Sequence, residues 1–288
     1  MRRTILITGA NGQLGRCLQD LLRGQDDCQV YCTDIDTLDI CQEEQVKRFL
    51  EAHPVDIIIN AAAYTAVDKA EDDVEMAYRI NRDAVANLSQ AAAKHHAFLV
   101  HVSTDYVFDG LSNRPYTELD TPRPMSVYGS SKLAGEEAMR ESGCQGVIIR
   151  TSWLYSEYGH NFVKTMLKLG AERETLSVVY DQIGAPTYAG DLAKAILTIC
   201  QEPKNQKGVE LYHFANEGCI CWFEFTKAIF EIAGIRCAVK AILTSEYPTK
   251  AQRPAYSLFN LNKIKKDYGL DIPYWRESLK VIISKLCE

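Results

Sequence analysis

No stretch of this 288-residue chain approaches the length of apolar sequence that a membrane span needs. Positive charge is not in excess either: 32 lysines and arginines face 38 aspartates and glutamates, for a formal net charge of -6. That balance argues against general nucleic-acid binding, which favours a basic face. An anionic ligand must therefore be held by local arginines or helix N-termini. Internal repeats and low-complexity segments are missing. The opening MRRTILITGANG has the two arginines and short apolar run of a leader peptide, but Gly9, Asn11 and Gly12 break the run after a few residues. It reads as a buried strand. Ten cysteines are present without the spacing of a disulfide framework, and Cys219 and Cys221 lack a second ligand pair at metal-binding distance. Reduced thiols in a cytoplasmic protein are the expectation.

What is there is ordinary in bulk and patterned in detail. Hydrophobic residues make up 47% and charged residues 24%, as in a globular protein long enough for a sizeable core. Apolar runs at 4–8, 28–34, 55–60, 97–103 and 146–150 alternate with helical spacing around 15–24, 43–53 and 72–96, and with a helix carrying Tyr128. Continuous Val/Ile runs between amphipathic helices signify a parallel sheet covered on both faces. The expected fold class is α/β: a Rossmann-type doubly wound sheet with a smaller, interleaved substrate-binding domain. After Arg150 the alternation loosens and aromatics, proline and glycine become frequent, as in YDQIGAPTYAG and SEYPTKAQRPAY. Residues 1–152 and about 175–218 are expected to form the dinucleotide-binding domain, with about 153–174 and 219–288 forming the other.

The first apolar run ends in TGANGQLG, with Gly9, Gly12 and Gly15. Small residues let the backbone turn sharply and approach a pyrophosphate, while the next helix aims its N-terminus at that charge. Asp34, nineteen residues past Gly15, ends the second run, where an acid accepts hydrogen bonds from an adenosine ribose. A dinucleotide site is indicated. Tyr128 and Lys132 in SVYGSSKLAGEE are four apart and so share a helix face. Thr104 ends another apolar run at Ser103-Thr104-Asp105, and parallel sheets bind ligands at the carboxyl ends of their strands. Lys132 and an oxidised nicotinamide are expected to lower the Tyr128 phenol from its free value near 10, with Thr104 orienting an oxygen towards it.

Over essentially its whole length the chain resembles the extended short-chain dehydrogenases/reductases, and within them the dTDP-4-dehydrorhamnose reductases. The blocks that carry the likeness are TGANGQLG (8–15), NAAAYTAVDKAE (60–71), STDYVFDG (103–110), YGSSKLAGE (128–136), RTSWLY (150–155), NFVKTML (161–167), DQIGAPT (181–187) and RPAYSLFN (253–260). The resemblance implies an NADPH- or NADH-dependent reduction of a dTDP-sugar at its C4 keto group, giving dTDP-L-rhamnose for surface polysaccharide. It implies that Gly12, Gln13 and Leu14 line the pyrophosphate. Asp34, Ile35, Asp39 and Ile40 would meet the adenosine, and Ala63, Tyr64 and Thr65 would lie along the cofactor. Tyr128 would give a proton to the sugar oxygen and Lys132 would hold the nicotinamide ribose. Thr104 and Asp105 would contact the sugar, Trp153 would pack on it, and Arg253 would grip the diphosphate.

Related 4,6-dehydratases carry Asp-Glu after the active-site threonine, whereas this chain reads Thr104-Asp105-Tyr106, which fits reduction without elimination. Some family members bind a divalent metal through a glutamate shortly after the glycine loop. Here Arg16, Cys17, Leu18 and Gln19 follow Gly15, so no such metal is expected. Asp34 favours NADH by repelling a 2′-phosphate, while Thr33, Thr37 and Arg16 could receive one. Two other readings stay open: a reductase or epimerase of another nucleotide sugar, and a non-catalytic dinucleotide-binding regulatory subunit. The resemblance also leaves room for a homodimer.

Overall fold

A computed structural model describes residues 3–203 and 208–287. Six parallel strands form the central sheet: β1 (Arg3–Thr8), β2 (Cys28–Thr33), β3 (Ile57–Asn60), β4 (Phe98–Thr104), β5 (Gln145–Thr151) and β6 (Val209–Phe214). Their order is β2-β1-β3-β4-β5-β6. The inner strands are Ile, Val and Leu runs because both of their faces are covered. Every residue of β3 is buried, as parallel pairing with a helix layer on each side demands. On one face lie the helices Gln13–Leu22 and Ala189–Gln201, packed on Ile5, Ile7, Ile59, Val100 and Ile149. On the other lie Glu43–Ala52, Ala84–His95 and Val127–Glu141, packed on Leu6, Ile58, Leu99 and Ile148.

From β1 the chain moves outward to β2 and then returns to β3 on the opposite side of β1. The strand order therefore reverses between β1 and β3, and the crevice at such a reversal is where these sheets take a ligand. The five expected strands and their helices are all present. A sixth strand, β6, extends the sheet beyond β5; its run VELYHF had given no alternating signal. The helix expected over 72–96 starts at Val74 and is interrupted by a π turn at Arg79–Asp83 before continuing as Ala84–His95.

A second core joins the helices Phe162–Glu172, Trp222–Ala233 and Trp275–Cys287 around Tyr155, Phe225 and Trp275. The strand Thr175–Val179, expected to open the returning dinucleotide segment, pairs instead with Ala238–Ile242, and Leu176 and Val178 enter this second core. Conversely Ile264 and Ile272, expected in the substrate half, pack in the first core. The two bodies are stitched at Asn216, whose amide donates to Asp191 Oδ2 (2.8 Å) and whose oxygen accepts from the Tyr188 N–H (2.7 Å). None of the ten cysteines is in a disulfide. Burial pushes the Cys17 and Cys200 thiols up to about 12, leaving them packed and inert. No described helix is long and apolar enough to cross a membrane.

Candidate active site

The glycine loop is built from backbone. Gly9 has φ +65°, and a Cβ there would stand 2.6 Å from the Ala62 nitrogen just past β3. A Cβ on Gly15 would stand 2.4 Å from the Gly9 oxygen. Only glycine fits at both positions, so the loop is pressed into the β1/β3 reversal. Gly12 has a different task. It is the N-cap of Gln13–Leu22 and carries no side chain to satisfy the first-turn N–H groups. Those donors face outward at the positive end of a helix, a cradle that fits a pyrophosphate. Leu14 is buried beneath it. Gln13 turns its side chain to the second body, where its oxygen accepts from Ser156 Oγ (3.1 Å) and Asn161 Nδ2 (3.0 Å).

At the end of β2 the Asp34 carboxylate accepts from the Asn11 N–H (2.9 Å) and the Ile35 N–H (2.9 Å), pinning the loop to the adjacent turn. The Ile35 side chain stands 75% exposed beside it, an apolar surface that suits an adenine. Asp39 instead accepts from Cys41 N, and Ile40 is buried in the core, so these two shape the wall behind. Ala63, Tyr64 and Thr65 follow β3. Asn81, in the π turn, holds this segment by accepting from Tyr64 N (2.9 Å) and donating to Tyr64 O (3.1 Å) and Ser131 Oγ (3.0 Å).

The helix Val127–Glu141 starts at Ser126, whose hydroxyl accepts from Gly129 N (3.1 Å). The residues between Tyr128 and Lys132 now have reasons. A Cβ on Gly129 would stand 2.1 Å from the Tyr106 oxygen, so glycine lets the helix start lie against the β4 exit. Ser131 donates to Tyr128 O (2.8 Å) and receives Asn81. One turn past Lys132, Glu136 is fully buried. It accepts from Ser103 Oγ (2.6 Å) and forms a two-point ion pair with buried Arg150 of β5 (2.8 and 2.7 Å). Cutting one partner of such a pair costs about 3–5 kcal/mol, so it fixes the helix against both strands.

Lys132 is 2% exposed and donates to Val102 O (2.7 Å). Burial lowers its ammonium to about 8 against the pull of Glu136. Tyr128 is buried too, its ring 5.4 Å from Tyr106 in an edge-on contact. The expectation for its phenol is corrected: in the chain by itself burial raises it far above 10, and a hydrogen bond to Thr104 only partly opposes this. Loss of hydration outweighs any nearby cation. The phenol therefore keeps its proton at neutral pH, the state an acid needs.

Thr104 and Asp105 lie at the tip of β4, with Thr104 Oγ1 donating to Asp105 Oδ1 (3.0 Å). Burial raises the Asp105 carboxyl to about 6. Arg253 reaches this edge from the C-terminal segment. It donates to the Tyr106 hydroxyl (2.9 Å) and pairs with Asp68 (2.6 Å). Trp153 adopts φ 48°, a conformation rare for a bulky side chain, and stacks on Trp222 with centroids 3.6 Å apart. Sequence reasoning missed Asn81, Glu136, Arg150, Tyr106 and Trp222. Only Glu136 had a signal, standing four residues past Lys132 on the same face. Among the described residues no three His, Cys, Asp or Glu side chains converge as metal ligands.

A family model described as the RmlD substrate binding domain matches residues 2–287. A protein named dTDP-4-dehydrorhamnose reductase from Aggregatibacter actinomycetemcomitans is 43% identical over 96% of this chain and 97% of its own. The solved structure of a Bacillus anthracis dTDP-4-dehydrorhamnose reductase in complex with NADP superposes with TM-score 0.94 at 42% identity, covering 99% of this chain and all of that one. A Clostridium acetobutylicum dTDP-4-dehydrorhamnose reductase structure gives TM-score 0.94 at 41% identity over the same shares. A match along the whole chain, joined to a glycine cradle and a Tyr–Lys helix at one sheet edge, shows that the chain belongs to the dTDP-4-dehydrorhamnose reductase family of extended short-chain dehydrogenases/reductases.

Proposed function

We propose that this chain reduces the C4 keto group of dTDP-4-dehydro-L-rhamnose to dTDP-L-rhamnose, using NADPH or NADH. The observation that supports it most is the convergence of buried Tyr128, Thr104 and Lys132 at the carboxyl edge that also carries the glycine cradle. A reduced nicotinamide dinucleotide held in that cradle supplies the hydride. This chain's residues do the rest. Gly12–Gly15 hold the pyrophosphate by backbone N–H groups, with Asp34 and Ile35 at the adenosine and Ala63–Thr65 along the cofactor. Lys132 has one donor on Val102 and two left for a ribose. Thr104 and Tyr128 hold the sugar C4 oxygen between two hydroxyls, and Tyr128, kept protonated by burial, gives its proton as charge develops there. Arg253, fixed by Asp68 and Tyr106, offers the rest of its fork to the diphosphate. Trp153 packs on the sugar.

On this reading the dinucleotide is served by residues 1–152 and by a returning segment that begins near 187 instead of 175, because Thr175–Val179 packs in the second core. The test is to incubate the purified chain with dTDP-4-dehydro-L-rhamnose and NADPH or NADH. We expect cofactor oxidation matched by the C4 alcohol, with Tyr128→Phe slower by roughly 10²–10⁴-fold. Cofactor binding without turnover of any 4-keto sugar nucleotide overturns the proposal in favour of a regulatory subunit. Full activity in Tyr128→Phe removes the assigned acid.

A further inference from the structure

Each reduction leaves the Tyr128 phenol without its proton, inside a site where that phenol is buried. The proton has to be replaced before the next turnover. The Thr104 hydroxyl is the neighbour that draws the Tyr128 phenol down against burial. Thr104 Oγ1 is 3.0 Å from Asp105 Oδ1. The second carboxyl oxygen, Asp105 Oδ2, is buried, with the Ser257 hydroxyl as its side-chain neighbour. Asp105 is 2% exposed and takes part in no ion pair among the described residues. A carboxylate placed so is unfavourable when charged. The groups that face it are Thr104 and Tyr106 on its own segment, Tyr128 on the helix and Ser257 from the C-terminal segment. The nearby charge, Arg253, is turned to the Tyr106 hydroxyl and Asp68, away from Asp105.

We propose that Asp105 is the proton reservoir for Tyr128, acting through the Thr104 hydroxyl. The inference rests on the reductase reading. As the C4–H bond forms, the C4 oxygen takes the Tyr128 proton. Once the C4 alcohol has formed, the Thr104 hydroxyl turns from it to the phenolate and gives up its proton, and Thr104 in turn takes the proton of the Asp105 carboxyl. Asp105, now a carboxylate, is recharged by water between turnovers. One proton is drawn from solvent per alcohol made, and no bond other than O–H bonds changes along the relay. Burial holds the carboxyl at about 6, close enough to neutrality to give and recover a proton.

The relay predicts a split between the first turnover and those that follow. A chain loaded with reduced cofactor begins with Tyr128 protonated, so rapid mixing with dTDP-4-dehydro-L-rhamnose reads a first turnover that does not draw on Asp105. In Asp105→Asn, an isosteric change that keeps the Thr104 contact, loss of a sugar contact would lower both phases alike, so the relay is read from their ratio. The ratio of steady-state rate to first-turnover rate should fall on the order of 10²-fold below that of wild type, and with it the steady-state kcat. Its decline as pH rises above about 6 should vanish. Thr104→Val should disturb both phases, because Thr104 also meets the sugar. Acetic acid in the buffer should restore steady turnover to Asp105→Ala. A rise in KM with kcat intact in Asp105→Asn, or an equal fall of both phases, overturns the relay and leaves Asp105 a sugar contact. Slow first turnover in Tyr128→Phe with an unchanged ratio of the two phases in Asp105→Asn keeps the reductase reading and overturns this one.

Discussion

In the glycine loop, the space for an anion is set by Gly9 and Gly15, which press the backbone against Ala62 and Ala10, and by a helix start with no side-chain cap. At the other end of the edge, Arg253 is set by long side chains from distant segments: Asp68 just past β3 and the Tyr106 hydroxyl past β4, with Lys250 paired to Asp72 alongside. Both places are suited to phosphate. One offers fixed dipoles and the other a charge already half engaged. The difference teaches where each is vulnerable. A backbone cradle fails when any atom is added, whereas a side-chain grip weakens in steps as partners are removed.

The comparison is broken most directly at Gly9. Gly9→Ala adds a Cβ 2.6 Å from Ala62 N at a left-handed φ, and dinucleotide affinity by titration should drop by roughly 10²-fold or more. Retained affinity would mean that the loop is softer than its contacts imply. Arg253→Ala should act on the sugar nucleotide instead, raising its KM about 10- to 100-fold with little change in kcat, as the loss of charged hydrogen bonds predicts. Asp68→Ala should follow in the same direction but less, since the guanidinium keeps Tyr106; an unchanged KM in both variants would remove Arg253 from the diphosphate.

Lys132 sharpens the contrast through pH. Its ammonium sits at about 8 in the folded chain and near 10.5 when unfolded. Between those values the unfolded chain binds more protons at this group, so its own contribution to stability rises with pH across that window, by roughly 2–3 kcal/mol. Buried thiols such as Cys17 and Cys200 pull the other way above about 9, so the measure is the difference between denaturation midpoints of wild type and Lys132→Met from pH 7.5 to 10.5, which should move in favour of the wild type. The smallest effect is expected at Asp34, whose carboxylate holds the loop through backbone N–H groups. Asp34→Ala should move the NADH to NADPH ratio of kcat/KM towards NADPH by a few-fold, about 1 kcal/mol or less. A wild-type preference for NADPH that the substitution leaves alone would show that Asp34 serves the loop only.

What could be read in the sequence was whatever the backbone decides locally. The glycine triplet, the buried strand runs and the four-residue spacing of Tyr128 and Lys132 are short-range patterns, and the structure places them at one edge. Asn81 was silent because its role depends on a π turn that no spacing announces. Arg150 and Tyr106 were silent for a different reason. Each meets its partner across 14 and 147 residues respectively, a pairing that only the folded sheet creates. Thr175–Val179 looked like one more strand of the main sheet because its apolar pattern is the same in either core; its partner Ala238–Ile242 lies far along the chain.

The way the two bodies share the chain also sets an order on biosynthesis. The main sheet presents an open β5 edge until 209–214 arrive to pair with it, and its first core lacks Ile264 and Ile272 until the chain is nearly complete. Arg3, at the other extreme, donates to the carbonyl of Cys200 (2.8 Å), so the start of the first strand gains this anchor only when two-thirds of the polypeptide exists, although β2 and β3 pair with it much earlier. Contacts of such long separation close slowly, and an unpaired strand edge invites pairing with a neighbour. The nascent chain therefore emerges with its cofactor loop already encoded and its sheet unfinished, and the unpaired β5 edge is the part exposed to mispairing in that interval.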